Sequence, residues 1–461
     1  MAARSFRPLG HINQGTGIAG RAMGDIRIVR LTDLDANARA GLTRRAEEDF
    51  SRYVEGARPI IEAVRTRGDE ALAEFAAKFD GAPVAADGIA ATAAEFDAAE
   101  NRLGDDLKAA MQLAAANIRR FHEEQKPEAL VMTEMAPGVL AGDRVTPIPS
   151  VAAYVPRGKG AFPSVALMTT IPAVVAGVKR IAVLTPPTPE GGIHDATLYA
   201  CRLAGVSEVF RCGGAQAVAA VAYGTQTVPK MAKVLGPGSP WVVAAMQLLS
   251  NVIDVGPPAG PSESIILAEA GSNIRNVALD LLNEAEHGPD SSAWLVTPDA
   301  DLASAAAGEI EALLGQMGPE RAGYARTVLS GPAGGILVTP DMQTACDFIN
   351  DYAPEHLMVH AADPFTLLEK LENAGEILLG GNTAIAIANY VLGPNHVLPT
   401  GGWAKTRSAL SVHDFMKRQT IAHLTRAGFD RLAGAAETFA RYEGFDAHAN
   451  AVSSLRQRQN D

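Results

Sequence analysis

Residues 151–184, VAAYVPRGKGAFPSVALMTTIPAVVAGVKRIAVL, decide the fold. The opening run, 151–155, is apolar, long enough for a buried strand and too short for a helix. Pro156, Gly158, Gly160 and Pro163 punctuate the loop that follows. Residues 164–178 then form an apolar run of helical length, and 180–184 is a second short apolar run. Strand, helix and strand at this spacing make a βαβ unit, whose two strands must run parallel.

The same alternation extends outward. Strands are predicted at 208–212, 233–235 and 252–255, with helices at 195–204, 215–223 and 240–249 between them. A second series of strands begins at 264–267 and continues at 293–295, 335–338, 357–360 and 376–379. Two α/β modules with mainly parallel sheets are therefore expected. Upstream, 47–79 and 91–125 carry apolar residues at spacings of three and four, with Gly81 and Pro127 as stops. Such helices cover a sheet or a subunit interface. From about His413 the chain is expected to return to helix, at 415–424 and 431–443.

The bulk properties narrow the function. A chain of 461 residues exceeds one typical core, so two or more domains are expected. A net charge of −12 argues against a nucleic-acid partner or an anionic membrane surface. The three cysteines, Cys201, Cys212 and Cys346, include no CxxC pair, which argues against a disulfide framework or thiolate zinc cage and points to a reducing, cytoplasmic setting. The longest apolar run, 165–178, is broken by Thr169, Thr170 and Pro172 and is too short to span a bilayer. Residues 1–24 hold three arginines and no acid, and are read as a flexible leader, a targeting peptide or an upstream extension before Met23. Gly and Pro cluster at apparent strand ends, where open α/β sheets bind ligands, but no GxGxxG follows a strand.

One stretch carries a possible metal site. In LLNEAEHGPD, 281–290, Glu284 and His287 are three residues apart in a helical run and leave the same face. A carboxylate and an imidazole converging in this way make half of a zinc site. From this stretch alone an ordinary solvated helix end is the simpler reading, because histidine in a last turn also suits the helix dipole. Glu355-His356, in APEHL just before a predicted strand, is either an acid–base pair or a polar helix-to-strand corner. His396 in a Gly/Pro-flanked loop and His448 near the end complete the notable histidines, whereas His413 and His423 read as surface or packing residues.

Taken together, these stretches resemble the histidinol dehydrogenase family. YVPRGKGAFPS, RCGGAQAVAAVAYGTQTVPK, LGPGS, AGPSES, DLLNEAEHGPD, APEHLMV, NAGEILLG, GPNHVLPTGG and LSVHDFMKR occur in the family's order, and the likeness runs from about Leu31 to Leu455. The resemblance implies two incomplete Rossmann-like parallel-sheet domains plus small helical N- and C-terminal parts. The expected division is 1–24 as leader, 25–153 plus 264–410 as one α/β domain, 154–263 as the nucleotide-side domain and 411–461 as a C-terminal helical part. It implies NAD-linked oxidation of L-histidinol to L-histidine through an aldehyde, with bound Zn2+, in a homodimer with shared active sites. By motif, the metal positions fall on Glu284, His287, Asn389 and His448. The catalytic pair falls on Glu355 and His356, substrate contacts on Ser262, His396 and Glu443, and nucleotide contacts on Tyr154, Gln216 and Ser239.

The implied chemistry suits these residue types. Alcohol oxidation needs a base for the hydroxyl proton, and a neutral imidazole with a pKa near ~6.5 fits His356. Adding water to the aldehyde needs a second base, for which Glu355 is the candidate. Two metal positions depart from the family pattern, with Glu284 where the family has Gln and Asn389 where it has Asp. One amide and one carboxylate remain, so charge is conserved and every donor is still O or N. We read the two changes as compensating. Arg157-Gly158 replaces a glycine pair, Lys159 follows, and Ser239 replaces an Asn. Arg157 and Lys159 are either a solvated pair or an anion site at the binding mouth. The departures leave open the same chemistry on another small polar alcohol, such as a sulfonated diol or an amino alcohol, as in the sulfopropanediol dehydrogenases. A non-catalytic binding protein on this fold is the alternative of a different class, and the retained acid–base pair argues against it.

Overall fold

The computed structural model describes residues 26–44, 50–157, 160–257 and 260–456. Residues 1–24 and Lys159, for which a leader and part of an anion site are expected, lie outside the described residues.

The first parallel sheet has five strands, Ser150–Tyr154, Arg180–Thr185, Glu208–Arg211, Lys233–Leu235 and Asp254–Val255. Numbered along the chain, they lie side by side in the order 3-2-1-4-5, all parallel. This is a Rossmann-type order that stops one strand short. The strand Ser150–Tyr154 is central and apolar on both sides, as its continuous hydrophobic run required. Val151 and Ala153 face a core shared with Phe96, Met111, Ile118 and Ile171. Ala152 and Tyr154 face the opposite core with Ile61, Val64, Leu72 and Phe75.

The second sheet repeats the plan. Glu263–Ala268, Ser292–Thr297, Gly334–Val338, His356–His360 and Glu376–Leu379 again lie in the order 3-2-1-4-5, and Ile28–Arg30 adds a sixth parallel strand beside Gly334–Val338. Ile265 and Leu267 pack on one side with Trp294, Ile349 and Tyr352. Ile266 and Ala268 pack on the other with Leu281, Leu295 and Ile310. Each fully buried Ile or Leu here contributes on the order of 1.5–3 kcal/mol of transfer free energy. The α/β fold with two incomplete Rossmann-like sheets is thus the observed one.

Three expectations need correction. The 153/154 boundary would cut the strand Ser150–Tyr154, which belongs wholly to the five-stranded sheet. The helices Ser51–Arg67, Asp69–Phe75, Ala93–Arg102 and Asp105–Glu124 cover the two faces of that same sheet, so most of residues 25–153 belongs with 154–263. The strand Ile28–Arg30, with Ile26, Leu31 and Leu42 packed in the cores beside it, ties the first residues to the other sheet. Residues 416–424 are not helical. Met416–Leu424 is a strand, antiparallel to Val139–Pro147, which also pairs with Leu130–Ala136. Its helical reading failed because MKRQTIAHL is mostly exposed and shows no period-two burial. Its conformation comes from a partner strand distant in sequence. The C-terminal helices that remain are Arg426–Tyr442 and Asp446–Val452.

Gly236 shows how a glycine shapes the loop after a strand. Its φ is +121°, and a Cβ there would run into the carbonyl oxygen of Tyr154. Only glycine lets the loop after Lys233–Leu235 pass this close to the end of the central strand.

Candidate active site

Two sheet edges supply the candidate residues. The carboxyl edge of the five-stranded sheet holds Tyr154 at the end of its strand, Gln216 in the first turn of Gly214–Tyr223, and Ser239 at the N-cap of Pro240–Leu249. The buried Tyr154 hydroxyl accepts from the Gly214 N–H at 3.0 Å, and burial raises its pKa above that of free tyrosine. Gly214 has φ +61°, and a Cβ there would meet the Gln216 side chain at 2.7 Å. The helices that follow strands one and four of the 3-2-1-4-5 order go to opposite faces of the sheet from this edge, the place where such sheets bind nucleotides. Arg157 lies just beyond Tyr154 with its Nε buried and without an acceptor, while Asp80, pushed up by burial, is drawn back down by the Arg157 charge.

The second cluster sits at the amino edge of the six-stranded sheet, contrary to the usual preference for carboxyl ends. Glu263, His356 and Glu376 are the first residues of three neighbouring strands, and the register places His356 opposite both Ser264 and Glu376. Ser262 precedes the first of these strands, half-buried, with its carbonyl accepting from the Ser292 N–H at 2.9 Å. The loop 393–400 closes over the edge. Gly401 N–H donates to Glu263 Oε1 at 3.0 Å, and Gly260 N–H donates to Thr400 Oγ1 at 2.6 Å.

Glu355 and His356 are both buried. Glu355 Oε2 accepts from the Glu263 N–H at 3.0 Å, and Oε1 lies 3.8 Å from His356 Nε2. A carboxylate can only accept, so the 2.5 Å contact between His356 Nδ1 and Glu376 Oε1 makes Nδ1 the protonated nitrogen and turns Nε2 toward Glu355. Burial pushes Glu355 up to about 8, with His356 pulling it down and Glu284 adding to the rise. Burial alone would lower His356. The charges of Glu284 and Glu355 and the bond to Glu376 outweigh it and push the imidazole up to about 10. His396, from the covering loop, has a buried Nε2 without a partner, and burial together with His356 and His287 pushes it down to about 3.

Glu284 and His287 come from the C-terminal end of Ile274–Ala285, which returns to this same edge. The expected face-sharing is present: His287 Nδ1 lies 3.4 Å from Glu284 Oε2. His287 Nδ1 is also 3.0 Å from the Asn283 carbonyl, which fixes the proton on Nδ1 and leaves the Nε2 lone pair free. Asn389, buried, reaches over with its Nδ2 3.5 Å from Glu284 Oε1. Glu284 Oε2 and Asn389 Oδ1 are both buried without a hydrogen-bond partner. Among the described residues no three His, Cys, Asp or Glu side chains converge as a metal cage. The orphaned carboxylate oxygen, the amide oxygen and the free imidazole nitrogen nevertheless form a three-donor O, O, N set of the kind a zinc ion accepts.

Glu443 and His448 do not join this group. Both are exposed, at the end of Arg426–Tyr442 and on Asp446–Val452, with His448 against Phe445 at 5.2 Å. The same arm exposes Phe439 and Tyr442. Sequence reasoning missed Glu263 and Glu376. A usable signal existed for Glu376, since it opens a predicted strand, His356 directly precedes the predicted strand before it, and parallel pairing brings strand starts together.

Comparison with known proteins is consistent with this geometry. The family model described as histidinol dehydrogenase matches residues 43–456. The chain is 53% identical to a histidinol dehydrogenase homolog 2 from Mesorhizobium japonicum, over 95% of this chain and 99% of that protein. It is 47% identical to a histidinol dehydrogenase from Synechocystis sp., over 94% and 99% respectively. The crystal structure of histidinol dehydrogenase from Elizabethkingia anophelis superposes with a TM-score of 0.88 at 32% identity, covering 94% of this chain and 98% of that one.

Proposed function

Because the chain belongs to the histidinol dehydrogenase family, we propose that it oxidises L-histidinol to L-histidine through the aldehyde, linked to NAD and dependent on zinc. The observation that carries this reading is the buried Glu355–His356–Glu376 array beside the orphaned donors of Glu284 and Asn389. When bound, NAD at the carboxyl edge of the five-stranded sheet supplies the hydride acceptor, and zinc held by Glu284, His287 and Asn389 supplies orientation and polarisation of the substrate. His356 Nε2 accepts the hydroxyl proton in each oxidation. Glu355, anchored by the Glu263 N–H, takes a proton from the water that adds to the aldehyde. The covering loop with His396 excludes bulk water and offers a neutral nitrogen to the substrate.

Glu443 and His448 enter this scheme from a second copy. The arm that bears them is exposed together with Phe439 and Tyr442, and an exposed aromatic face fits a homodimer in which each arm completes its partner's site. Mixing two inactive variants tests this. Glu284→Ala and His448→Ala chains, unfolded and refolded together, are expected to regain about a quarter of wild-type activity, because half the dimers are mixed and each has one intact site. Activity that stays at the level of the separate variants contradicts shared sites.

A second reading has one specific support. The donor pair Glu284 and Asn389 departs from the family pattern, and a relative at 53% identity is described only as a homolog. The same chemistry on another small polar alcohol follows from it. Purified protein with zinc and NAD, offered a panel of amino alcohols and sulfonated diols, decides between the two by which alcohol yields NADH. Tight binding with no turnover of any alcohol would instead favour a non-catalytic binding protein.

A further inference from the structure

His356 is held from behind by a carboxylate that the family resemblance did not single out. Glu376 opens the neighbouring strand Glu376–Leu379, in register with His356, and its Oε1 is 2.5 Å from Nδ1. The two side chains are 10% and 5% exposed, so the contact is shielded from competing water. Glu376 also lines a cavity of about 660 Å³. Gln125, Ser411 and the exposed Arg407 and His413 line it as well, so it opens to solvent, and neither Glu355 nor Glu284 is among its lining residues. Resting on the dehydrogenase reading above, we propose that Glu376 is a positioning residue for His356, which fixes the proton on Nδ1, aims Nε2 at the substrate and holds the imidazolium formed when Nε2 takes the substrate's proton.

The step balances with NAD as the oxidant. The alcohol O–H bond breaks, its proton forms an N–H bond at His356 Nε2, and the carbinol hydrogen leaves with its electron pair as hydride to the nicotinamide. Nδ1 keeps its own proton, and the Glu376 carboxylate at 2.5 Å holds the imidazolium that results. Loss of the Nε2 proton to water as product leaves restores the starting tautomer. The charged groups acting on His356 are Glu284, Glu355 and Glu376, and His396 of the covering loop lies close enough to feel its charge. Among the described residues, Glu376 is the one hydrogen-bonded to Nδ1.

Two variants separate this role from packing. Glu376→Gln keeps the shape and an acceptor oxygen but carries no charge to hold the imidazolium. Glu376→Ala leaves a gap continuous with the cavity. Both are expected to lose roughly a hundredfold in kcat with KM little changed. Formate is expected to restore activity to Glu376→Ala, where it fits the gap, and not to Glu376→Gln. Wild-type kcat in Glu376→Gln, or absence of formate rescue in folded Glu376→Ala, overturns the proposal. A resting-state measurement is independent of turnover. In protein labelled with ¹⁵N-histidine, His356 should show a far-downfield Nδ1 proton that disappears in Glu376→Ala. Its absence in wild type overturns the positioning role. If wild type oxidises no alcohol while this resonance is present, the dehydrogenase reading fails and the His356–Glu376 pairing stands.

Discussion

Replacing His356 by Asn lowers kcat for alcohol oxidation by on the order of 10²–10⁴, the contribution of a positioned general base. The variant keeps a side chain that fits the corner but has no nitrogen able to take the hydroxyl proton at Nε2. Nucleotide affinity stays unchanged, because Tyr154, Gln216 and Ser239 stand at the edge of the other sheet. The pH dependence follows in sign from the same geometry. A base must be neutral, and neutral imidazole exists above its pKa. Glu284, Glu355 and Glu376 overcome burial and push His356 up to about 10, so kcat/KM rises with pH and its acid limb has a midpoint on the alkaline side of 6.5. A rate profile with its acid-limb midpoint at or below 6.5 would show that these carboxylates do not govern the base.

Glu284→Gln is expected to cost on the order of a hundredfold in zinc affinity, and Glu284→Gln with Asn389→Asp is expected to recover it. The argument is one of charge at fixed shape. Glu284 Oε2 and Asn389 Oδ1 are buried and unpartnered, and the Asn389 amide already turns its Nδ2 toward Glu284 Oε1. Together they offer one anionic and one neutral oxygen beside the His287 lone pair. The single variant leaves only neutral donors on these three residues, so less charge opposes the dication. The double variant moves the carboxylate across the pair without changing the sum. Zinc content after dialysis, read by elemental analysis, checks both variants. A double variant no better than the single one would mean that the two positions do not compensate. Thermal unfolding adds a second readout. In metal-free protein the single variant removes a buried carboxylate oxygen that has no donor, so it should unfold no earlier than wild type.

The sheets were legible because their strands are buried on both faces and read as unbroken apolar runs. Residues 151–155, 180–184 and 264–267 needed no alternation to be recognised. The antiparallel sheet was not legible for the opposite reason. Leu130–Ala136 and Met416–Leu424 are largely exposed, and a partner more than two hundred residues away decides the strand 416–424. Packing of the N-terminal helices was likewise invisible, because an apolar stripe announces that a helix is covered and not by which sheet. At the site, Glu284 and His287 could be paired by helical spacing alone. Asn389 could be joined to them only through the resemblance, since it arrives from a separate segment. Glu376 lay within a quoted motif, yet its role depends on strand register, which a one-residue slip would have destroyed.

The most direct test of the account is the amount of NADH formed when zinc-loaded protein consumes a known amount of L-histidinol in the presence of excess NAD. Two successive oxidations at one site give about two NADH per histidinol, with L-histidine as the product. A yield of one, with the aldehyde accumulating, would remove the assignment of Glu355 to the second step. No NADH from histidinol, with turnover of another small alcohol, would contradict the substrate and leave the chemistry of His356 in place.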